Sequence, residues 1–493
     1  MKNKNINKHL IKIIIAIVLF FYSYFNLFSI SSNLSFWNDE SHTALMARGI
    51  LEYGKPITLV GVGNGIYQIA LYYVTALSFK IFEVSEFSGR FPSVIAGTIL
   101  VTLGYFLSKK IFDAKKAIVV SFLLAFSQIQ LAWSTQLRPY IWLELFTLLA
   151  IYYLYKYLKS KIIFDKNIAI SILLSVISIL FHGTGLLNLL IVSFVFLYKT
   201  TKLKKYKYLL ALPAVGIIGF LVIFNSFAGG WELIKKVLFQ FYFSPLHYRI
   251  FLTHNYLWLI VGVFIGFFTL LKKNKELAIL LGGSIFLIFF MAIFKINPNY
   301  VRYSLPAFPL MYLLFAEGVG SMVDRLTKKK YMRWVLILLV FAMLSLTGKF
   351  VFWPKYYYSI NADVRENPIV DYKLAFSRIK DLIKDKHDVL VIDAWNDRVP
   401  WYLPGQEYVM ANFATPEGAD PVYGEKFVGT LDGIREEISN HQSGVVIVED
   451  WQSFMSDEIK EYVRKNLKFE FTVQNLPYNE NDHWGISIYS WGI

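Results

Sequence analysis

Polar and ionisable side chains that interrupt apolar stretches are the residues most suited to chemistry in this chain. They fall in four segments, FWNDES (36–41), QLRPY (136–140), FHGTG (181–185) and NPNYVRYSLP (297–306), which contain Asp39, Glu40, Arg138, Tyr140, His182, Arg302 and Tyr303. A carboxylate can act as a general base. Arginine binds phosphate oxygens through charge-assisted, often bidentate hydrogen bonds. These residue types therefore indicate base-assisted transfer away from a phosphate leaving group.

The composition shows what must hold these residues in place. Of the 493 residues, 56% are hydrophobic and 17% are charged, with a mean hydropathy of +0.45. Soluble domains carry about 25% charged residues. A soluble globular protein, a disordered chain and a coiled coil are thus excluded, which leaves a polytopic membrane protein. Because cysteine is absent, disulfides, thiolate metal sites and thiol nucleophiles are excluded as well.

The charge divides the chain into two parts. Residues 354–493 hold 14 Lys and Arg against 23 Asp and Glu, whereas residues 1–353 hold 36 against 12. We therefore predict a membrane domain over 1–353 and an acidic soluble domain over 354–493. The basic residues lie in short clusters between apolar runs, which is the pattern of membrane topology rather than of nucleic-acid binding. No nucleic-acid partner is expected.

Eleven apolar runs, give or take two, are predicted to span the membrane as helices. They lie at about 11–31, 90–108, 117–133, 139–155, 168–181, 184–198, 208–227, 255–271, 277–294, 303–323 and 334–352. With the N-terminus in the cytoplasm, every inner loop carries a Lys/Arg cluster, as the positive-inside rule requires. The positive-inside rule is satisfied only if residues 65–82 lie at the outer interface as an amphipathic helix. The first outer loop then covers about 32–89.

This topology predicts a multi-pass protein of the cell membrane with an extracytoplasmic C-terminus. It also brings all four polar segments to the outer face, where ionisable groups at membrane depth are costly and usually functional. Four further candidates share that face: His42, Arg90, His247 and Arg249.

Structural roles are alternatives for the same residues. Asn38 can cap a helix that runs to Tyr53 and stops at Gly54. Arg138 and Arg302 can extend their charged ends to the interface. His182 can be a hydrogen-bonded buried histidine.

The acidic C-terminal part has the pattern of a small α/β domain. Helices are predicted at 371–386 and 455–467, and strands at 388–394, 444–450 and 485–491. The acidic residues form either a solvated surface or a recognition surface for an acceptor or partner.

A site on the outer face has no access to cytosolic nucleotide sugars, so an activated substrate there arrives on a lipid. A polyprenyl-phosphate sugar meets this requirement, because its lipid lies in the bilayer and its phosphate at the interface. Phosphate leaves without protonation, so one carboxylate suffices as general base on the acceptor. A hydrolase acting on an unactivated sugar needs two carboxylates.

The four segments also carry a resemblance to a family. NDESHTALMARG (38–49), STQLRPYIWLELF (134–146), FHGTGLL (181–187) and YVRYSLPAFPLMYLLFAEG (300–318) resemble, in order and spacing, motifs of GT-C glycosyltransferases of the protein O-mannosyltransferase and aminoarabinose transferase type. EFSGRFPSVIAGT (86–98) and the YLPG stretch (402–405) add to the resemblance. It implies an all-α polytopic membrane domain of GT-C type, with interfacial helices in the first outer loop, followed by a small extracytoplasmic α/β domain.

The resemblance further implies an inverting, metal-independent transfer from a polyprenyl-phosphate sugar to an acceptor hydroxyl, amine or phosphate. Asp39 matches the family's catalytic base and Glu40 the neighbour that helps to place the acceptor. Arg138, Tyr140, His182, Arg302 and Tyr303 fall in motifs near the donor phosphate or sugar.

No cofactor is expected, since the lipid-linked sugar is a substrate. No metal is expected either, and a metal site formed by His42 beside Asp39 and Glu40 is the alternative. The expected partners are the lipid-linked donor, membrane lipids, and a lipid, polysaccharide or protein acceptor. The alternatives are an outer-face ligase or polymerase of lipid-linked glycans, a non-catalytic envelope scaffold and a secondary transporter.

Overall fold

The computed structural model describes residues 2–57, 68–210, 240–241, 245–296, 300–356, 369–413, 418–419, 423–449, 453–476 and 485–493. The chain forms two compact units, and each is discontinuous in sequence. The first comprises Met1–Ser32, Asn64–Leu71 and Arg90–Glu366, and the second comprises Asn33–Gly63, Tyr72–Gly89 and Asn367–Ile493. The predicted domain boundary at 353/354 stays a prediction.

The first unit is helical, because its long apolar segments satisfy their backbone groups internally. Its helices are α1 (Lys2–Ser31), α4 (Glu86–Ile111), α5 (Ala114–Phe126), α6 (Gln128–Ser134), α7 (Tyr140–Lys159), α8 (Lys166–Phe181), α9 (Leu186–Lys202), α10 (Leu246–Ile250), α11 (Tyr256–Lys273), α12 (Lys275–Met291), α13 (Phe308–Leu326) and α14 (Lys330–Ser345). Short 3₁₀ helices at Gly183–Gly185 and Val301–Ala307 precede α9 and α13.

Seven helical stretches within the described residues are long and apolar enough to cross a bilayer: Ile11–Ser31, Glu86–Ile111, Tyr140–Lys159, Gly183–Lys202, Leu246–Lys273, Lys275–Ile296 and Val301–Leu326. Shorter apolar helices lie at Ile69–Phe82, Lys166–Phe181 and Tyr331–Ser345. Most of the predicted span 208–227 lies outside the described residues. The predicted helix 117–133 is divided at Ser127 into α5 and α6, where Ser127 pairs with Phe350 in an isolated β-bridge.

Close contact between α11 and α13 depends on glycine. A Cβ on Gly266 would lie 1.8 Å from the carbonyl oxygen of Leu314, and one on Gly318 would lie 2.5 Å from the carbonyl oxygen of Gly262. Small residues let helix backbones approach in a membrane, where dispersion contacts rather than water exclusion drive association. Helix α13 is largely buried in the helical core, whereas α11 contributes only a few buried residues to it.

An ion cluster links three helices near their lysine-rich ends. The buried Glu317 of α13 accepts from Lys116 of α5 at 2.7 Å and from Lys273 of α11 at 2.8 Å. Ser321 also donates to Glu317, at 3.0 Å. Burying a carboxylate without a nearby cation costs folding free energy. Glu317 therefore needs the two lysines, and these contacts link the ends of the three helices.

The second unit contains a seven-stranded sheet. Its strands are β2 (Val389–Asp393), β3 (Tyr408–Ala411), β4 (Gly418–Ala419), β5 (Lys426–Val428), β6 (Ser443–Glu449), β7 (Lys468–Val473) and β9 (Ile486–Trp491). Their order in the sheet is β4-β5-β3-β2-β6-β9-β7. Strands β5, β3, β2 and β6 are parallel, and β4, β9 and β7 pair antiparallel to their neighbours. Strands β1 (Ile369–Val370) and β8 (Asn475–Leu476) pair separately.

Two apolar clusters cover the two faces of this sheet. Helices α15 (Tyr372–Ile383) and α16 (Arg398–Tyr402) supply one, and α17 (Leu431–Asn440) and α18 (Asp457–Asn466) supply the other. The expected small α/β domain after an all-α membrane domain is therefore confirmed.

The same unit contains α2 (Asn38–Tyr53) and most of α3 (Ile69–Phe82) from the first predicted outer loop. Helix α2 ends at Gly54, whose φ of 76° is in the left-handed region that favours glycine. Both bounds of α2 agree with the sequence prediction to within a residue, although Trp37 rather than Asn38 is the N-cap.

Candidate active site

Three separate segments of the first unit bring five predicted site residues together. Tyr140 begins α7, His182 follows α8, and Tyr303 lies in the 3₁₀ helix before α13. Their ring centroids are 5.7 Å apart for Tyr140 and His182, 6.0 Å for His182 and Tyr303, and 6.3 Å for Tyr140 and Tyr303. Arg138 lies 5.8 Å from the Tyr140 ring, and Arg302 lies 5.9 Å from the Tyr303 ring. We call these five residues the aromatic–cationic cluster.

Each of the two arginines lies beside one ring of this triad. Arg138 is 6% exposed, and Arg302 is half-buried and stacks over the Tyr300 ring at 4.3 Å. Stacking on an aromatic face leaves the planar edge of a guanidinium for bidentate contacts with an anion. The cluster can thus present two fixed positive charges to a phosphate group.

His182 is held in one protonation pattern by the turn that follows it. Its Nδ1 accepts from the Thr184 backbone N–H at 3.2 Å and lies 2.8 Å from the Thr184 hydroxyl. A neutral imidazole that accepts at Nδ1 carries its proton on Nε2. His182 therefore acts as an Nε2–H donor, and the FHGTG turn sets this state.

Tyr140 occupies the centre of the cluster and is 1% exposed. Its hydroxyl has no hydrogen-bond partner among the described residues. Leaving a buried hydroxyl unpartnered costs about 1–3 kcal/mol, so this group is suited to a polar ligand. Trp133, which the sequence analysis did not single out, packs edge-on against the Tyr140 ring at 4.8 Å.

Buried polar contacts support the segment that carries Arg138 and Tyr140. Gln130 of α6 donates to Glu144 of α7 at 2.7 Å. Tyr22 of α1 and Ser134 of α6 share a hydrogen bond of 2.6 Å. These contacts hold the turn between α6 and α7 in place.

A second short segment orients Tyr300. The Tyr248 hydroxyl in α10 donates to the Tyr300 carbonyl oxygen at 2.7 Å. His247 and Arg249, two of the secondary candidates, flank Tyr248 in α10, and Arg249 is exposed. Arg90, a third, is buried near the start of α4. Tyr248 and Tyr300 were missed because an aromatic residue in an apolar chain carries no distinctive signal.

In the second unit, the acidic pair on α2 is split between two environments. Glu40 is fully buried, and its carboxylate accepts from the backbone N–H of Trp37 at 3.4 Å, so it caps its own helix. Asp39 is partly exposed, as is His42 one turn later. The two acids thus have different surroundings, as expected for neighbours on a helix. Of the two acids, only Asp39 is partly accessible to solvent.

The α/β part of the second unit surrounds α2 with specific contacts. The backbone N–H of Phe36 donates to the Tyr402 hydroxyl at 2.7 Å, and the Phe36 ring lies 5.3 Å from that of Trp401. The Arg48 guanidinium lies 5.7 Å from the Trp401 ring. Helix α16 therefore supports the start of α2.

The charge of Asp39 affects the pKa of Asp397, the residue before α16. Asp397 is 5% exposed, and burial raises the pKa of its carboxyl well above the usual range. Arg398 opposes this shift in pKa, whereas Asp39 and Asp393 add to it. Arg398 is itself fully buried and bonds Asp393 at 2.5 Å and Glu449 at 3.0 Å.

The described residues contain no group of three His, Asp or Glu side chains arranged to hold a metal ion. The expectation that no metal takes part stays a prediction.

Known proteins resemble this chain in sequence and in fold. The model of the dolichyl-phosphate-mannose-protein mannosyltransferase family matches residues 69–225. The structure of ArnT from Cupriavidus metallidurans in the apo state superimposes with a TM-score of 0.59 at 13% identity, covering 98% of each chain. The chain has the GT-C fold.

Two further proteins extend this comparison. The archaeal oligosaccharyltransferase AglB from Archaeoglobus fulgidus, solved with an inhibitory peptide and a dolichol-phosphate, matches with a TM-score of 0.60 at 13% identity over 98% of this chain and 76% of its own. An uncharacterized protein of Aquifex aeolicus (strain VF5) is 27% identical over 369 residues, 70% of each chain. The resemblance to GT-C membrane glycosyltransferases that the motifs predicted is confirmed, and this GT-C fold protein is a multi-pass membrane protein.

Proposed function

We propose that this GT-C protein transfers a sugar from a polyprenyl-phosphate donor to an acceptor on the extracytoplasmic face of the membrane. The observation that carries the proposal is the aromatic–cationic cluster, in which Arg138, Tyr140, His182, Arg302 and Tyr303 converge from three segments. Two arginines, a buried hydroxyl and an imidazole N–H suit a lipid-linked phosphate better than they suit a neutral solute. The similar ArnT has been solved with undecaprenyl phosphate bound, which supports a donor of this class.

The arginines act on the leaving group. The donor phosphodiester carries one negative charge, and the departing phosphate monoester develops a second. Cations fixed beside it stabilise the transition state more than the ground state, which lowers the barrier. The rings of Tyr140 and Tyr303 keep the arginines in position and offer flat apolar surfaces to the sugar.

Asp39 acts on the acceptor as a general base. The acceptor oxygen attacks the anomeric carbon while its proton passes to the Asp39 carboxylate. The bond from the anomeric carbon to the phosphate oxygen breaks, and its electron pair leaves with polyprenyl phosphate. One displacement inverts the anomeric configuration. Glu40, buried as a helix cap, contributes by holding α2 rather than by exchanging protons.

The test is release of polyprenyl phosphate by purified protein in native membrane lipid, with a chelator present and host envelope extract as acceptor source. The donor panel contains polyprenyl-phosphate sugars and a lipid-linked oligosaccharide, since AglB is named an oligosaccharyltransferase. Wild type should release polyprenyl phosphate from a monosaccharide donor. Asp39→Asn should lower the rate at least about 100-fold, because general-base catalysis contributes about 10²–10⁴.

The matched control is Asp381→Asn, which neutralises an exposed acid of α15 in the same unit. It should leave the rate unchanged. Equal rates for wild type and Asp39→Asn, with both proteins folded, would contradict the role of Asp39. Release only from the oligosaccharide donor would favour an oligosaccharide transferase over a monosaccharide transferase.

A further inference from the structure

A hydrogen bond joins the acidic helix to the α/β domain beside Asp39. His42 Nδ1 lies 2.8 Å from the Tyr423 hydroxyl, and the two rings meet edge to face at 6.1 Å. Tyr423 is 4% exposed and borders a small cavity of about 30 Å³, whose other walls include Leu45 and Arg48 of α2 together with Pro400 and Pro404. The phenol is therefore fixed by packing, and it fixes the imidazole in turn.

The direction of this bond follows from the two groups. A phenol is a better proton donor than a neutral imidazole N–H, and an imidazole nitrogen is a better acceptor than a phenol oxygen. Tyr423 thus donates to Nδ1, and a neutral His42 carries its proton on Nε2. If His42 is charged, Nε2 still carries a proton. Nε2 is a hydrogen-bond donor in both states.

Asp39 and His42 lie three positions apart, which places them on one face of α2. Both are partly exposed, whereas Glu40, Ser41 and Thr43 are fully buried. One side of the helix start therefore carries a carboxylate and an imidazole that are both partly accessible to solvent.

We propose that Tyr423 positions His42 as an Nε2–H donor to the acceptor nucleophile, and that this pairing with Asp39 selects a hydroxyl acceptor over an amine. The inference rests on the proposed function, because it assigns the acceptor class of the same reaction. His42 is a substrate-binding residue in this account, and Tyr423 is a positioning residue.

The preference for a hydroxyl over an amine follows from the number of lone pairs on the attacking atom. A hydroxyl can donate its proton to Asp39, accept from His42 with one lone pair and attack the anomeric carbon with the other. The C–O bond to the sugar forms, the sugar–phosphate bond breaks, and the proton ends on Asp39. An amine has a single lone pair. If that pair accepts from His42, it is not available for attack.

The first experiment asks whether the contact exists. Tyr423→Phe, His42→Ala and the double variant are made in the full-length protein, and thermal unfolding is measured in native membrane lipid. If the contact exists, the effects on unfolding are not additive. Additive effects would overturn the positioning role of Tyr423.

The second experiment measures acceptor use with envelope extract and identifies the linkage of the transferred sugar by mass spectrometry. Tyr423→Phe should raise the apparent acceptor KM about 3- to 10-fold, the range for one lost hydrogen bond, and leave the donor KM unchanged. His42→Gln, whose amide N–H reaches the Nε2 position, should retain more activity than His42→Asn, which reaches only Nδ1. The sugar should be attached to oxygen.

The outcomes separate this inference from the proposed function. A wild-type protein that releases no polyprenyl phosphate from any donor would overturn both. Transfer to nitrogen, or equal acceptor KM values for wild type, Tyr423→Phe and His42→Asn, would overturn only the inference. As a control, Tyr462→Phe removes a phenol from α18 on the opposite face of the sheet and should leave both KM values unchanged.

Discussion

The rings of Tyr140 and His182 lie 5.7 Å apart, although one begins α7 and the other directly follows α8. The two helices form an antiparallel hairpin, so the start of the first meets the end of the second. Tyr303 reaches the same point from the segment before α13. A single end of this helical arrangement therefore collects side chains from three motifs that are far apart in sequence.

The Tyr140 hydroxyl provides one test of the cluster. Tyr140→Phe should lower donor-dependent release of polyprenyl phosphate about 10-fold or more, the value of a hydrogen bond to a charged group. It should not lower the thermal unfolding temperature, because the hydroxyl has no partner to lose among the described residues. The matched control is Tyr157→Phe at the other end of α7, whose buried hydroxyl also lacks a described partner. An equal loss of activity in both variants would contradict a role for Tyr140 at the phosphate.

A substitution of Arg302 tests the proposed contact with the donor phosphate. Lysine keeps the charge but cannot form a bidentate contact or stack as a plane on Tyr300. We expect Arg302→Lys to lower kcat/KM for the donor about 10-fold or more with little change in unfolding temperature. Arg325→Lys, at the exposed far end of α13, should behave as wild type. Unchanged donor kinetics for Arg302→Lys would remove this residue from the site.

Much of this arrangement was predictable from sequence. The four motifs, the bounds of α2 and the strands β2, β6 and β9 carry local signals: helix caps, left-handed glycine and short runs of β-branched residues. The break at Ser127 was not predictable, because its bridge partner is Phe350, on a segment distant in sequence. The contact of His42 with Tyr423 was missed for the same reason, and strands as short as β4 and β5 carry no periodicity to detect.

Two glycines test the packing of the helical core. Gly266→Ala should destabilise the protein by about 1–3 kcal/mol, as overpacking does, because the new Cβ would lie 1.8 Å from a Leu314 backbone oxygen. Gly283→Ala on α12 has nothing within 4 Å of its Cβ. It should be neutral or stabilise by up to about 1 kcal/mol through helix propensity. Thermal unfolding in detergent measures both, and a neutral Gly266→Ala would show that α11 and α13 are less closely packed.

Replacing Asp397 or Asp393 by asparagine should change the unfolding temperature at neutral pH in opposite directions. Burial raises the pKa of Asp397 well above its ordinary value near 3.8. The unfolded chain therefore loses this proton at a lower pH than the folded chain does, and stability falls as the pH rises between the two pKa values. Asp397→Asn removes this pH-dependent fall in stability. It should therefore raise the unfolding temperature at neutral pH and have little effect below about pH 4.

Asp393→Asn is the contrasting variant. Burial raises the pKa of Asp393 as well, but Arg398 opposes that shift. Asp393→Asn removes an ion pair with the fully buried Arg398, which keeps its contact with Glu449, and should lower the free energy of unfolding by about 1.5–3 kcal/mol at neutral pH, the value of a hydrogen bond to a charged group. Unfolding of the full-length protein followed between pH 4 and pH 8 distinguishes the two variants. A lower unfolding temperature for Asp397→Asn at pH 7 would mean that its charge is needed in the folded state.

The discontinuity of the second unit sets an order of events during synthesis. The Ser35 hydroxyl, just before the acidic helix, donates to the carbonyl oxygen of Val370, a residue 335 positions later, and accepts from the backbone N–H of Tyr372 at 2.9 Å. At about 5–20 residues per second, the ribosome needs roughly 20 to 70 s to add the residues between them. For that time α2 exists without the domain that supports it, so the surroundings of Asp39 are completed only when the last part of the chain emerges. A nascent chain that ends before Val370 thus carries α1 to α14 without the later contacts that hold the start of α2.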